Sequence, residues 1–567
     1  MADTKTTTNL DWAIPALEAK MAEIEKTLPV VLLSQSSFDQ GTYRIKTPGR
    51  YVLTEDIRFN PNRSTYNTST NRLEGPDWMP TAAQIASGAY PVAPVGAYHM
   101  GFFSAITIES DNVVIDLNGF TLEQHIEHYL QQRFFSIIEL APTPFIQGQG
   151  PSNFGIFEKH QYIKIHNGDL GLTSHEAIHG NGTKNLILKD LTCYDYEQGA
   201  IAINGGSIIL MKNIQIERNS QDALVRATYS QGRFIRSFLR RIIASGNPVL
   251  NVNGLSLSGS LILSELELEL DSVFNDVILQ KREPTSVLFN NPDPSNTCDG
   301  SVYGIVLNKL GAAVGPFLAT SDHVDNRLIL LENITICGID SDPVEVPALC
   351  MPSDHTLAQR GPVGDVIRIN MCTDDEGRYL PNTLSNAQFY VSKYASLIGV
   401  NPQASPALYD EWLPGLKILS TVMAEQKICF MYNKDAMSHT MKGNIGIFLS
   451  GASAVMIDSV HLERISNHGA ASKGNDHDGY EGNRTRGIAA TACKSLILKN
   501  VNLRDLSSQT ADVYGLDFVH ACSDVTLAGF SAMNLNPAKF INAPHHQGKC
   551  STIRGKSLVT DLNIIQI

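Results

Sequence analysis

Ile209-Leu210-Met211-Lys212-Asn213-Ile214-Gln215-Ile216 reads as two short runs of alternating apolar residues joined by a polar step. The phrase recurs as Leu186-Ile187-Leu188-Lys189-Asp190-Leu191-Thr192 and Ile329-Leu330-Leu331-Glu332-Asn333-Ile334-Thr335-Ile336. It returns in Val455-Met456-Ile457-Asp458-Ser459-Val460-His461-Leu462, in Leu496-Ile497-Leu498-Lys499-Asn500-Val501-Asn502-Leu503 and in Val525-Thr526-Leu527-Ala528-Gly529-Phe530. Alternation, a kink and renewed alternation describe two strands meeting at a bend. The bend residues are Asp190, Asn213, Asn333, Ser459, Asn500 and Gly529. These types tolerate left-handed backbone angles or bond their own backbone, as a tight bend requires. Upstream of most copies a third strand opens on a small residue, at Gly199, Gly446, Gly487 and Gly515.

The bend advances 23 residues from Asp190 to Asn213, and the same step backwards lands on Asn167. It advances 29 from Asn500 Gly529-wards and 41 from Ser459 to Asn500, where a polar loop intervenes. One coil of three short strands per roughly 20–30 residues is the signature of a parallel solenoid, in which each coil covers its neighbour's apolar face. Ala105-Ile106-Thr107-Ile108 followed by Val113-Val114-Ile115-Asp116-Leu117-Asn118-Gly119-Phe120-Thr121-Leu122 fits the same plan with a longer turn.

On these repeats the chain resembles right-handed parallel β-helix proteins of the pectate-lyase-like superfamily, over about residues 100–220, 300–340 and 440–540. The resemblance implies an all-β, right-handed parallel β-helix and a polysaccharide partner. It carries over no catalytic set. Of the Asn-Thr-Asp, Asp-Asp, Gly-His-Gly and Arg-Ile-Lys series of polygalacturonase-like hydrolases, only His468-Gly469 stands here, and the Trp-Ile-Asp-His motif of pectate lyases is missing. A leucine-rich repeat would need a leucine ladder, and a β-sandwich would need regular hairpin dipeptides; neither is found.

Around this frame the chain divides into 1–33, a tail and a capping or oligomerisation helix; 34–98, a lead-in region; and 99–567, the β-helix with insertions at about 221–303 and 341–440. In the first segment Ile14, Leu17, Met21, Ile24 and Leu28 step by 3, 4, 3 and 4, the spacing of a coiled-coil seam. Two readings follow: a helix covering the exposed core of the first coil, or the seam of a homo-oligomer, with a trimer favoured. In the first insertion Arg233–Ile243 has an apolar face and four arginines, suited to packing on the β-helix flank, and Glu265, Glu267 and Glu269 alternate with leucines as a strand with one acidic face. The second insertion reads as helical near 382–398 and 406–428.

Composition is that of a globular protein, with 43% hydrophobic and 18% charged residues. The net charge of −13 argues against a nucleic-acid partner. No segment approaches the ~20 apolar residues of a membrane span. The N-terminus lacks a basic region followed by an apolar core, so the expectation is a protein that is intracellular or part of a virus particle. Nine scattered cysteines without CxxC pairs suggest free thiols in a reducing compartment.

The densest chemistry lies at Asn467-His468-Gly469 and Asn475-Asp476-His477-Asp478-Gly479-Tyr480-Glu481-Gly482-Asn483-Arg484-Thr485-Arg486. His468, Asp476, His477, Asp478 and Glu481 offer general acids and bases, while Tyr480, Arg484 and Arg486 offer stacking and anion contacts for a sugar. Asp476 and Asp478 share a side of an extended segment and could hold a divalent cation such as calcium. A solvated glycine-rich loop is the competing reading. Two lesser clusters, Glu123-Gln124-His125-Ile126-Glu127-His128 and His175-Glu176-Ala177-Ile178-His179, lack diagnostic metal spacing and read as packing or surface histidines. The functional expectation is a glycan-directed protein: if an enzyme, a lyase, hydrolase or epimerase acting on a linear polysaccharide. Its rival is a non-catalytic structural or adhesive β-helix of a virus particle or surface assembly.

Overall fold

The computed structural model describes residues 4–63, 65–67, 69, 72–74, 80–90, 101–125, 128–129, 135–144, 158–196, 198–218, 249–252, 255–258, 302–308, 310, 326–341, 444–467, 484–508, 512–519, 521–537 and 548–565. The chain winds as a parallel β-helix. It alternates between a 14-stranded sheet, here sheet A, and a 10-stranded sheet, sheet B. Along sheet A the order includes Gln161–Thr173, Lys184–Tyr196, Ser207–Glu217, Asn326–Cys337, Ala452–Asn467, Lys494–Ser508 and Cys522–Asn536. Along sheet B it includes Ser136–Glu139, Glu176–Asn181, Gly199–Asn204, Val302–Asn308, Asn444–Ser450, Thr485–Thr491 and Val513–Phe518. Each strand pairs in parallel with the equivalent strand one coil away.

The bends fall where the residue types place them. Asn167, Asp190, Asn213, Asn333, Ser459, Asn500 and Gly529 all have positive φ, between 50° and 69°. The sheet A ladder skips these positions and resumes beyond them. Their side chains bond to neighbouring coils: Asn213 Nδ2 donates to Asp190 Oδ1 at 2.7 Å, and Asn333 Nδ2 donates to Asn213 Oδ1 at 2.8 Å. Asn500 Nδ2 donates instead to Asp458 at 3.1 Å.

Alternation then fills the interior. Ile115, Ile165, Leu188, Met211, Leu331, Ile457, Leu498 and Leu527 stack in one column of sheet A, all buried. Ile106, Ile138, Ile178, Ile201, Ile305, Ile447, Ile488 and Leu516 face them from sheet B. Stacked aliphatic columns of this kind bury each coil's apolar face against the next, the source of solenoid stability.

A column of small residues runs beside the sheet B interior. A Cβ at Gly446 would lie 2.7 Å from the Gly487 carbonyl oxygen, and one at Gly487 would lie 2.7 Å from that of Gly515. Gly199 opens its strand one position earlier, since it pairs with Tyr303; Ala200 occupies the place equivalent to Gly304.

The N-terminal helix Thr4–Glu25 lies on the outer face of sheet A. Leu10, Ile14, Leu17 and Met21 pack with Val114, Ile187 and Leu210, which project from three coils. The heptad-spaced residues therefore face this chain's own flank. The physical reason is the outward column itself, which is apolar at Ile187, Leu210, Leu330 and Met456 and needs a cover. Lys164 Nζ bonds Glu25 at 2.8 Å and fixes the helix end.

The two corners of the coil differ. Several passages from sheet B to sheet A are short, as where Gly451 alone joins Ser450 to Ala452 and Gly205-Gly206 joins Asn204 to Ser207, but those from Glu139 to Gln161 and from Asn308 to Asn326 are longer. Passage from sheet A to sheet B carries the excursions between 217 and 302, 341 and 444, and 467 and 485. The amphipathic stretch 233–243, the acidic strand 265–270 and the helices expected near 382–398 and 406–428 fall in these excursions, outside the described residues.

Candidate functional site on the outer face of sheet B

Two outward rows of side chains run across sheet B. One reads Ser104, Ser136, Glu176, Gly199, Tyr303, Ile445, Arg486, Tyr514 and Ser551. The other reads Thr107, Glu139, His179, Ala202, Val306, Phe448, Ala489, Asp517 and Arg554. The face is thus acidic and imidazole-bearing at one end, apolar in the middle, and arginine-rich at the other. Ala202, Tyr303, Val306, Ile445, Phe448 and Ala489 form the buried apolar centre.

At the first end, Glu139 and His179 stand opposite each other on successive coils, with His179 Nδ1 2.7 Å from Glu139 Oε2. The Glu139 side chain is fully buried, and that of His179 is 12% exposed. Asn204 Nδ2 donates to His179 Nε2 at 3.3 Å and to Asn181 Oδ1 at 3.0 Å, and Asn181 Nδ2 donates to the Pro144 carbonyl at 2.9 Å. With Nε2 accepting from the amide, Nδ1 is the nitrogen that donates to the carboxylate. Diagonally across, Glu176 accepts from Ser136 Oγ at 3.4 Å and contacts His175 Nδ1.

Burial disfavours the charged carboxylate and pushes the Glu139 carboxyl up to about 7; Glu176 pushes the same way, and His179 and His175 oppose it. A buried acid that exchanges its proton near neutrality, bonded to an imidazole, is the arrangement a general acid–base pair requires.

The cluster at 123–128 supports this end from behind. Gln124 Nε2 donates to His128 Nδ1 at 2.7 Å, and Gln124 Oε1 accepts from the Ser174 backbone N–H at 2.9 Å. His128 is buried edge-on against Phe59 and Phe135, with centroids 5.0 and 5.1 Å away. Glu123 accepts from Arg58 at 2.7 Å and from Tyr194 Oη at 2.8 Å. These groups are packed and positioned as framework.

At the other end, Arg486 is buried and bonds Asp517 Oδ2 through Nε at 2.7 Å. Arg554 Nη1 approaches the same oxygen at 3.6 Å. Arg554 and Arg484 lie 4.9 and 5.8 Å from the centroid of the Tyr514 ring, and Arg484 Nε is 4.0 Å from Asp512. Of the residues expected to bind sugar, Arg484 and Arg486 thus both stand at this end of sheet B, with Arg486 buried and engaged by Asp517. His468, Asp476, His477, Asp478, Tyr480 and Glu481 lie outside the described residues. Among the described residues no cluster of three or more His, Cys, Asp or Glu side chains is arranged to hold a metal ion. No described helix is long and apolar enough to cross a membrane.

Sequence reasoning treated His175 and His179 as surface residues of a coil turn and did not single out Glu139. The usable signal was phase: Ile138-Glu139 and Ile178-His179 are the same inward–outward step one coil apart.

Comparison with known protein families and with curated proteins finds no match for this chain. Among solved structures it is similar to an alginate lyase from Paenibacillus sp. str. FPU-7, at 8% identity and a TM-score of 0.25, covering 94% of this chain and 99% of that one. It is also similar to the A-module of the Azotobacter vinelandii mannuronan C-5 epimerase AlgE4, at 7% identity, TM-score 0.25 and coverages of 93% and 90%. A third is the Streptococcus pneumoniae surface protein and adhesin PfbA, at 8% identity, TM-score 0.19 and coverages of 97% and 96%. The architecture, a parallel β-helix, rests on the sheets described above.

Proposed function

We propose that the protein is a glycan-active enzyme of lyase, hydrolase or epimerase type, acting on a linear polysaccharide laid across the coils of sheet B. The observation that carries this reading is the Glu139–His179 pair, a buried carboxyl with its proton exchange near neutrality against an imidazole. Proton transfer at the sugar is common to all three reaction types. Glu176 supplies a second carboxylate one coil on and three residues out of phase with Glu139. A strand spacing of ~4.8 Å and a rise of ~3.3 Å per residue set their Cα atoms roughly 11 Å apart, so the two side chains must lean toward each other to flank one glycosidic bond. Tyr514, Arg484 and Arg554 at the far end suit a sugar ring and an anionic substituent. The excursion carrying His468, Asp476, His477, Asp478, Tyr480 and Glu481 leaves the wide corner immediately before Arg484, and in this reading it adds further sugar contacts, with calcium as a candidate ion at Asp476 and Asp478.

The test is turnover on a panel of uronate and neutral polysaccharides, with and without calcium. Glu139→Gln is expected to lower kcat by about 100-fold or more while leaving glycan binding intact. Full activity in that variant overturns the assignment of the pair. A second reading, a structural or adhesive component, is favoured by apolar side chains open to solvent: Trp12 is 73% exposed, and Met533 and Ile564 are 52% and 53% exposed. A stable homo-oligomer by light scattering, with no turnover on any glycan, decides for it.

A further inference from the structure

The described cysteines Cys193, Cys337, Cys493, Cys522 and Cys550 are all free thiols, and four of them are buried. Two of the four are neighbours. Lys494 pairs with Ser523 in the sheet A ladder, so Cys493 and Cys522, one residue earlier, occupy the same position on consecutive coils. The Ser523 backbone N–H donates to the Cys493 carbonyl at 2.9 Å, which fixes the two segments side by side. Both side chains point inward and are 3% exposed.

We infer that Cys493 and Cys522 form a disulfide when the protein meets a low-molecular-weight disulfide, stapling two consecutive coils at their narrow corner. Adjacent parallel strands place equivalent Cα atoms ~4.8 Å apart, inside the roughly 4.4–6.8 Å window a disulfide spans. Cys493 follows Ala492, whose φ is 51°, and precedes the strand that begins at Lys494, so its Cβ direction is not tied to the pleat. Cys493 Sγ donates to the Thr491 and Leu449 carbonyl oxygens at 3.4 and 3.7 Å. The neighbouring Cys493 thiol lowers the Cys522 pKa below the usual thiol value, while the Cys522 sulfur and burial raise that of Cys493. Cys522 is therefore the attacking thiolate. Its sulfur attacks one sulfur of the reagent RSSR, forming a mixed disulfide and releasing RS⁻. Cys493 then loses its proton and attacks the Cys522 sulfur, forming the cross-link and expelling a second RS⁻. Two protein thiols and one RSSR become one protein disulfide and two RSH.

The experiment incubates the full chain with oxidised glutathione, alkylates the remaining thiols and maps the peptides by mass without reduction. The expected product links the Cys493 and Cys522 peptides, with a mass two hydrogens below their sum. It forms more slowly than the glutathione adduct at exposed Cys550, because reagent must enter through opening of the coils. The cross-linked protein is expected to melt about 3 °C higher, and dithiothreitol reverses the shift. Cys493→Ser stops the sequence at a glutathione adduct on Cys522 and removes the thermal gain. Peptide mapping of the unsubstituted chain does not depend on that variant folding. Failure of the 493–522 peptide to form while Cys550 reacts, or a stable glutathione adduct on Cys522 with Cys493 still free, overturns the inference.

Discussion

Replacing Glu139 by Gln should make the protein more stable at neutral pH and leave it unchanged in acid. In the folded chain the carboxyl exchanges its proton at about 7, against an ordinary value of 4.5. Below about pH 4.5 the residue is protonated in folded and unfolded chains alike and contributes no pH dependence. As pH rises from there to about 7 the unfolded chain ionises first, so the folded state loses stability. Above about 7 the full cost is present. Each unit of displacement is worth ~1.4 kcal/mol, so the loss is roughly 3 kcal/mol. Gln keeps an oxygen to accept from His179 Nδ1 and has no charge to bury. With an unfolding entropy of about 1.2 kcal/mol per degree for a chain of this length, the variant should melt ~2–3 °C higher at pH 8. Scanning calorimetry of both proteins from pH 4 to 9 checks this, the difference opening between about pH 4.5 and 7. A difference that is constant with pH, or that widens toward acid, refutes the burial argument.

Three further substitutions probe the frame. Asn213→Ala loses both tolerance of the left-handed bend and the bond to Asp190, and should cost about 1–2 kcal/mol in chemical denaturation, with Asn213→Gly recovering the backbone part. Gly487→Ala drives a methyl to 2.5 Å from Leu503 Cδ1 and 2.7 Å from the Gly515 oxygen, and should lower stability by about 2–3 kcal/mol in the same assay. Arg486→Ala leaves buried Asp517 with Arg554 alone and should cost roughly 3 kcal/mol, whereas the paired change Arg486→Met with Asp517→Leu should restore most of that in a double-mutant cycle.

The bends were legible because a left-handed backbone selects Asn, Asp, Ser and Gly, and the alternation on either side marked the strands they join. A second left-handed column was harder to see because its residue types are mixed. Asn112, Asn185, Ser495 and Asp524 share it with Tyr162, Ile208, Leu328 and Ala454, whose φ lies between 52° and 57° although none is a turn-forming type. Tyr162, Ile208 and Leu328 pack under the N-terminal helix, so tertiary contact holds angles that local preference would not choose. The helix itself was legible from its apolar spacing, but its docking surface required the outward column of sheet A to be seen across coils. The same limit hid the Glu139–His179 pair: the partners are 40 residues apart in sequence, and only the register makes them neighbours.

The unequal corners of the coil give the fold a direction for change. Gly451 joins sheet B to sheet A by itself, whereas the equivalent corner one coil earlier spends residues 309–325 between Asn308 and Asn326 with both strands in register. Between residues 341 and 444 about a hundred residues pass from one sheet to the other while Asn326–Cys337 and Ala452–Asn467 stay in register. Length therefore accumulates at the corners without disturbing the stack, most of it where sheet A passes to sheet B. A reporter domain inserted between 467 and 485 should leave the solenoid folded.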